Sequence, residues 1–179
     1  MTALISPPAN SPKIDNQTTD GLLGVSNSLA YRLHELERHI HNEETWWGRN
    51  AGGTDLAVQN DLTSWQLTAG TSEAFGAWVQ LTDGTQFTEG VRFDAHRIMI
   101  TAVSETDDLY YIQLGTGEAG AQVVKTTAPF YAASNFSNAG PIDIVKNREL
   151  NTVKLWARCK CQADSGTINF VLGIHSYEG

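Results

Sequence analysis

The sequence predicts a mainly β chain: a jelly-roll-like antiparallel β-sandwich preceded by an N-terminal α-helix that forms a short coiled coil. Three observations carry this. A heptad seam occupies residues 22–40. From Ser64 onward, apolar and polar residues alternate in short runs. Between those runs stand Gly, Asn, Asp and Pro clusters, the residues that turn a chain sharply.

Residues 1–20 contain Pro7, Pro8 and Pro12, several Ser, Thr and Asn, and few large apolar groups. Such a stretch cannot bury enough apolar surface to offset its own ordering, so an extended or disordered arm is expected. Residues 21–45 are expected to be helical. Asp20 or Ser26 can cap the start, although Gly21 and Gly24 weaken the first turn. Leu22, Leu29 and Leu36 repeat every seven residues at d positions, with Ser26, Leu33 and Ile40 at a. A seam this narrow suits partner helices better than a broad core. Two to three heptads are marginal alone, because helix nucleation is costly. The seam therefore either zips copies together, the preferred reading, or lies on its own sandwich. Arg32 and Glu37 have the g–e spacing of an interhelical ion pair between parallel chains.

Residues 46–63, rich in Gly and polar groups after Trp46-Trp47, read as a linker, and residues 64–179 as the sandwich. Strands are expected at 65–67, 77–81, 90–93, 97–103, 109–114, 121–128, 142–145, 152–161 and 167–174. The clearest is 152–161. Val153, Leu155, Ala157, Cys159 and Cys161 face one way, and Thr152, Lys154, Trp156, Arg158 and Lys160 the other. Turns are expected at Asp83-Gly84, 115–120, 138–141 and 164–166. This many short strands in one segment points to a jelly roll, with an immunoglobulin-like sandwich as the competing topology.

The chain has 179 residues, a formal net charge of −8 and a sequence pI near 5.0. Acidity disfavours binding to phosphate backbones, so no nucleic-acid partner is expected. Arg148, Lys154, Arg158 and Lys160 are the densest basic set. No apolar run reaches the ~20 residues of a membrane span, and no charged n-region with an apolar core opens the chain. Synthesis in a cytoplasm is the expectation. The two cysteines, Cys159 and Cys161, lie two apart on one strand face, roughly 6–7 Å between Cα atoms, which strains a mutual disulfide. They read as buried thiols.

Chemistry-bearing motifs are sparse. His39 and His41 diverge by about 200° on a helix and do not make a metal pair by themselves. Phe93-Asp94-Ala95-His96-Arg97 offers an acid, an imidazole and a guanidinium, but reads better as a turn and a salt-bridged strand start. The acidic stretch 104–108 lacks the spaced oxygen ligands of a calcium loop. Gly115-Thr116-Gly117 has no helix behind it to make a phosphate site. No nucleophile motif stands out, so no enzyme, metal or cofactor is expected. Trp156, on the polar side of its strand, and Tyr110 and Tyr111, in a hairpin, are the candidates for contacting a partner or a glycan.

Four strings in this order resemble small tailed-bacteriophage virion proteins: His39-Ile40-His41-Asn42-Glu43-Glu44-Thr45-Trp46-Trp47-Gly48; Phe75-Gly76-Ala77-Trp78-Val79-Gln80-Leu81; Phe93-Asp94-Ala95-His96-Arg97-Ile98 leading to Thr106-Asp107-Asp108-Leu109-Tyr110; and Gly173-Ile174-His175-Ser176-Tyr177-Glu178-Gly179. The resemblance covers most of the chain from about Ala30 onward. It implies a β-rich structural protein among phage head genes. Together with the heptad seam, the expectation is a capsid decoration (cement) protein on the capsid exterior, a homotrimer by preference, with the major capsid protein as partner. The alternative is a receptor- or glycan-binding module of a head or tail fibre, with the helix as stalk and the sugar site around Trp156 or Tyr110/Tyr111.

Overall fold

The structure, a computed structural model, describes residues 45–60, 62–87, 92–137, 140–144 and 148–177. Leu22, Ser26, Leu29, Leu33, Leu36 and Ile40, with the arm and the helical seam, lie outside the described residues.

The described chain is mainly β, built from eleven strands: β1 (Thr45–Arg49), β2 (Ala57–Gln59), β3 (Trp65–Thr68), β4 (Val79–Gln80), β5 (Arg92–Val103), β6 (Asp108–Thr116), β7 (Val123–Ala132), β8 (Ile142–Asp143), β9 (Glu149–Leu150), β10 (Leu155–Lys160) and β11 (Thr167–Tyr177). One sheet runs β2-β1-β11-β5-β8, with β3 also on β11 and β9 also on β5; the other runs β4-β10-β6-β7. Every strand pairing is antiparallel. The first sheet contributes Trp47, Trp65, Leu67, Phe93, Ile98, Ile100, Phe170 and Leu172 to the core, and the second contributes Tyr110, Ile112, Leu114, Phe130, Leu155 and Cys159. Each large apolar side chain removed from water this way contributes about 1.5–3 kcal/mol, so the two inner faces hold the fold together.

Residues 46–63 are not a linker. Trp46, Trp47 and Thr45 pair with Gly173, Leu172 and Ile174 of β11, and β2 pairs with β1. The reason is burial: Trp47 inserts into the core and meets Phe87 edge-on at 4.8 Å. The Gly52-Gly53 segment, which reads as loose, is the tight connection between these two strands, with Gly53 at φ +96°.

The expected strands at 90–93 and 97–103 are one continuous element, β5. Its register with β11 slips twice: Gly173 pairs Arg97 but Ile174 pairs Ala95, and Asn169 pairs Ala102 but Phe170 pairs Ile100. His96 and Thr101 are the extra residues. Each bulge resets the two-residue period. Phe93 and Ala95 then face the core, and so do Ile98 and Ile100, all fully buried. In the sequence this change of parity mimics a turn.

Candidate functional site

The outer side of the four-stranded sheet carries a continuous strip of rings and cations. Tyr111 stands opposite Lys160, and Gln113 opposite Arg158. The Lys160 ammonium lies 4.9 Å from the Tyr111 ring centre and 5.5 Å from that of Phe75. The Arg158 guanidinium lies 4.7 Å from the Phe75 ring and 4.3 Å from the Trp78 ring. Its Nε donates to Gln113 Oε1 at 2.8 Å, and Gln113 Nε2 donates to Thr127 Oγ1 at 3.3 Å. Exposed cation–ring contacts contribute about 0.5–1 kcal/mol each. Their larger effect here is to hold long side chains in place before anything binds.

Local chain chemistry puts Phe75 and Trp78 on this strip. The Gly76 amide donates to the Cys159 carbonyl at 2.9 Å, which docks the segment before β4 onto β10. A Cβ at Gly76 would stand 1.8 Å from the Thr68 carbonyl oxygen, so only glycine fits. At the strip's edge a hollow of about 20 Å³ is lined by Glu73, Leu109, Tyr111, Lys160, Cys161 and Gln162. It has room for about one water.

Of the three aromatic residues expected to contact a partner, the structure leaves one at the surface. Tyr111 is half-buried on the strip. Tyr110 is fully buried, because alternation on β6 sends it into the core; its hydroxyl accepts from the Glu105 amide at 3.1 Å and donates to the Glu105 carbonyl at 3.3 Å. Trp156 is 7% exposed, and its indole N–H donates to the Gly117 carbonyl at 2.7 Å. It sits on the outward side of β10, as the alternation predicts, but its cross-strand neighbour Gly115 is overlain by the Trp78 ring. Neither Tyr110 nor Trp156 offers a ring face to a ligand. Sequence reasoning missed Phe75 and Trp78, whose position depends on a contact between remote segments.

No family model matches this chain, and no curated protein matches it. Among solved structures, it is similar to the CBM22-1–GH10 modules of the Clostridium thermocellum endo-1,4-beta-D-xylanase 10B complexed with xylohexaose, at 11% identity and a TM-score of 0.36. That alignment covers 66% of this chain and 25% of the xylanase chain.

The acid–imidazole string at Phe93-Asp94-Ala95-His96-Arg97 is not a turn. It is the interior of β5, and it meets the end of β11. Asp94 and His175 are direct cross-strand partners, with His175 Nδ1 3.7 Å from Asp94 Oδ1. The His96 and His175 rings stack at 4.6 Å between centres, 30° apart in plane. Tyr177 donates to Asp94 Oδ2 at 2.7 Å, and Arg148 lies over the Tyr177 ring at 3.6 Å. Burial, reinforced by the Asp94 carboxylate, pushes the Tyr177 hydroxyl up to about 12. Arg97, the third polar residue of the string, turns away to Asp143 at 2.8 Å. Of the missing half, only the shared strand face of His175 and Tyr177, two apart on β11, was legible; their meeting with Asp94 comes from the β5–β11 pairing.

The acidic stretch 104–108 is likewise structural. Asp108 is buried, and its carboxylate accepts from the Leu109, Gln162 and Ala163 amides at 2.6, 3.0 and 2.9 Å.

Proposed function

We propose that this chain is a non-enzymatic structural protein of a tailed-bacteriophage virion, a decoration protein that seats on the capsid exterior as an oligomer, by preference a trimer. The observation that carries the proposal is the strip of Phe75, Trp78, Tyr111, Arg158 and Lys160, whose rings and cations hold one another in place. A face of mixed aromatic and cationic character suits docking onto a broad protein surface, where aromatic and Arg anchors dominate the binding energy. The four virion-protein-like strings support the same reading. We read the fold as a jelly roll, supported by the strand orders β1-β11-β5-β8 and β4-β10-β6-β7, with the chain passing between sheets at β3–β4, β4–β5, β5–β6, β7–β8, β9–β10 and β10–β11.

The proposed partner is the major capsid protein, and the proposed oligomerisation element is the seam of Leu22, Ser26, Leu29, Leu33, Leu36 and Ile40. Purified expanded capsids should take up the protein saturably and rise in disruption temperature. Trp78→Ala with Arg158→Ala should abolish uptake while leaving the fold intact. Leu33→Asp with Leu36→Asp should lower the mass in solution and weaken capsid occupancy. Uptake that is unchanged in the face variant would remove the face from the proposal, and a capsid that takes up no protein would remove the function.

A second reading, a glycan-binding module of a head or tail fibre, is favoured by one observation. Tyr111 lies beside Gln113, Thr127 and Lys160, a ring next to hydrogen-bonding groups of the kind sugars engage. It would show as affinity on a sugar array that vanishes in Tyr111→Ala.

A further inference from the structure

We infer that Asp94, His96 and His175 form a binding site for one divalent transition-metal ion of the zinc class, on the outer side of the larger sheet. Their ligand atoms all lie within 4.8 Å of one another. A tetrahedral zinc ion with bonds of about 2.0–2.2 Å needs ligand atoms roughly 3.4 Å apart. The pair His175 Nδ1 and Asp94 Oδ1, at 3.7 Å, is already close to that spacing. The ligand atoms still up to 4.8 Å apart would have to close by about 1.4 Å on binding.

The backbone builds this convergence. Asp94 and His175 face each other across the β5–β11 ladder, and the bulge inserts His96 between the Ala95–Ile174 and Arg97–Gly173 pairs. Bulges commonly re-aim side chains at functional positions. The result is two imidazoles and a carboxylate from two adjacent strands, a donor set suited to zinc and neighbouring first-row metals rather than to calcium or magnesium.

The carboxylate is prepared for the role. Asp94 Oδ2 is held by the Tyr177 hydroxyl at 2.7 Å. Asp94 Oδ1 is buried and receives no hydrogen bond. A buried carboxylate oxygen without a donor is costly, and a metal ion would offset that cost. Tyr177 would then be the outer-shell partner that orients the ligand, as such groups do around bound metals. His96 is half-buried and the Asp94 side chain keeps 14% of its surface exposed, which leaves a route for the ion; a fourth ligand would come from water or a docked partner.

The site would pin the C-terminal strand β11 to the centre of its sheet. Metal bound only by the folded state stabilises that state in proportion to occupancy.

The test uses the full chain, stripped with a chelator and titrated with zinc chloride by calorimetry at pH 7.5, with a parallel cobalt titration followed by visible absorbance. One ion per chain is expected, with d–d bands of four-coordinate cobalt and a raised melting temperature. His96→Ala and Asp94→Asn should each weaken binding by about tenfold or more and remove the melting shift. His175→Ala should do the same; because His175 is buried, the two more exposed positions keep the test decisive should that variant misfold. Combined His34→Ala, His39→Ala and His41→Ala should leave the site intact. No binding in the stripped wild type, or binding that survives His96→Ala and disappears in the triple variant, would overturn the inference.

Discussion

Tyr177 donates its phenolic proton to Asp94 Oδ2 at 2.7 Å, joining the last described residue of β11 to the bulged half of β5. The contact fixes a sign for the alkaline stability of the fold. Burial first, and the neighbouring carboxylate second, raise the hydroxyl from an ordinary 10.0 to about 12. The folded state therefore holds this proton in a range where the unfolded chain has lost it. The contribution is complete below pH ~10 and is lost as pH rises toward ~12. Urea midpoints should fall across that window in the wild type. Tyr177→Phe, which has no proton to lose, should be less stable at neutral pH and fall less steeply between pH 10 and 12. An identical slope in both proteins would show that this hydroxyl does not titrate with folding.

Tyr110, Trp156 and Tyr111 should separate cleanly by readout. Tyr110→Phe removes a buried hydroxyl bonded both ways to the Glu105 backbone. It should cost about 1–2 kcal/mol, with the Glu105 amide and carbonyl left to find other partners. Trp156→Ala removes a nearly buried ring and its bond to Gly117, at about 3–5 kcal/mol. Tyr111→Ala exposes no core and should cost under about 1 kcal/mol. Chemical denaturation of the three variants checks the ranking. A Trp156→Ala protein as stable as the wild type would mean that its ring is a surface group after all.

The two cysteines should be slow to react in the native state. Cys159 is fully buried, and burial pushes its thiol up to about 12; Cys161 is also raised, chiefly by burial, and its Sγ contacts the Ala163 carbonyl at 2.9 Å. The thiolate is the reactive form, so little of it exists at pH 8. Iodoacetamide should modify neither residue in the native protein over the time in which both react in denaturant. Fast labelling of Cys161 alone would indicate that the loop over it opens.

The strands that alternate without interruption were legible from composition alone. In the run 152–161, the inward assignment of Leu155, Ala157, Cys159 and Cys161 matches their burial, because a two-residue period needs no knowledge of the partner strand; Val153, also assigned inward, is half-buried and lies before β10. Three things were not legible. The β5 bulge changes parity at His96, and a change of parity reads locally as a break. Thr45–Arg49 is a strand only because β11 is there to pair with it, a contact across more than 120 positions of sequence. Trp156 is buried and its indole N–H is tied to the Gly117 carbonyl on the connection after β6, and nothing in the alternation of β10 announces it. The surface strip was half visible: Arg158 and Lys160 were placed outward, but Phe75 and Trp78 were not placed above them. Of the metal-ligating cluster, the Asp94–His96 half stood out as a string, while His175 enters through strand pairing.

Asp108 supplies the sharpest test of how the two sheets are tied at one end. Its carboxylate stands at the start of β6 and gathers three backbone amides, one from its own strand and two from the connection between β10 and β11. The neighbour Asp107 adopts φ +57°, a left-handed conformation that L residues take at a cost. The amide contacts offset that cost and order the loop. Hydrogen bonds to a charged group contribute about 1.5–3 kcal/mol net, and Asp108 is only 5% exposed, so water cannot replace all of them. Asp108→Ala should destabilise the fold by about 2–4 kcal/mol, through amides left unpaired and not through lost apolar area. Asp108→Asn keeps the shape and one acceptor, so it should recover part of the loss. Hydrogen exchange should localise the effect, with the Gln162 and Ala163 amides losing protection in Asp108→Ala before the centre of β11 does. If those two amides exchange at wild-type rates in Asp108→Ala, the carboxylate is not what closes this end of the fold.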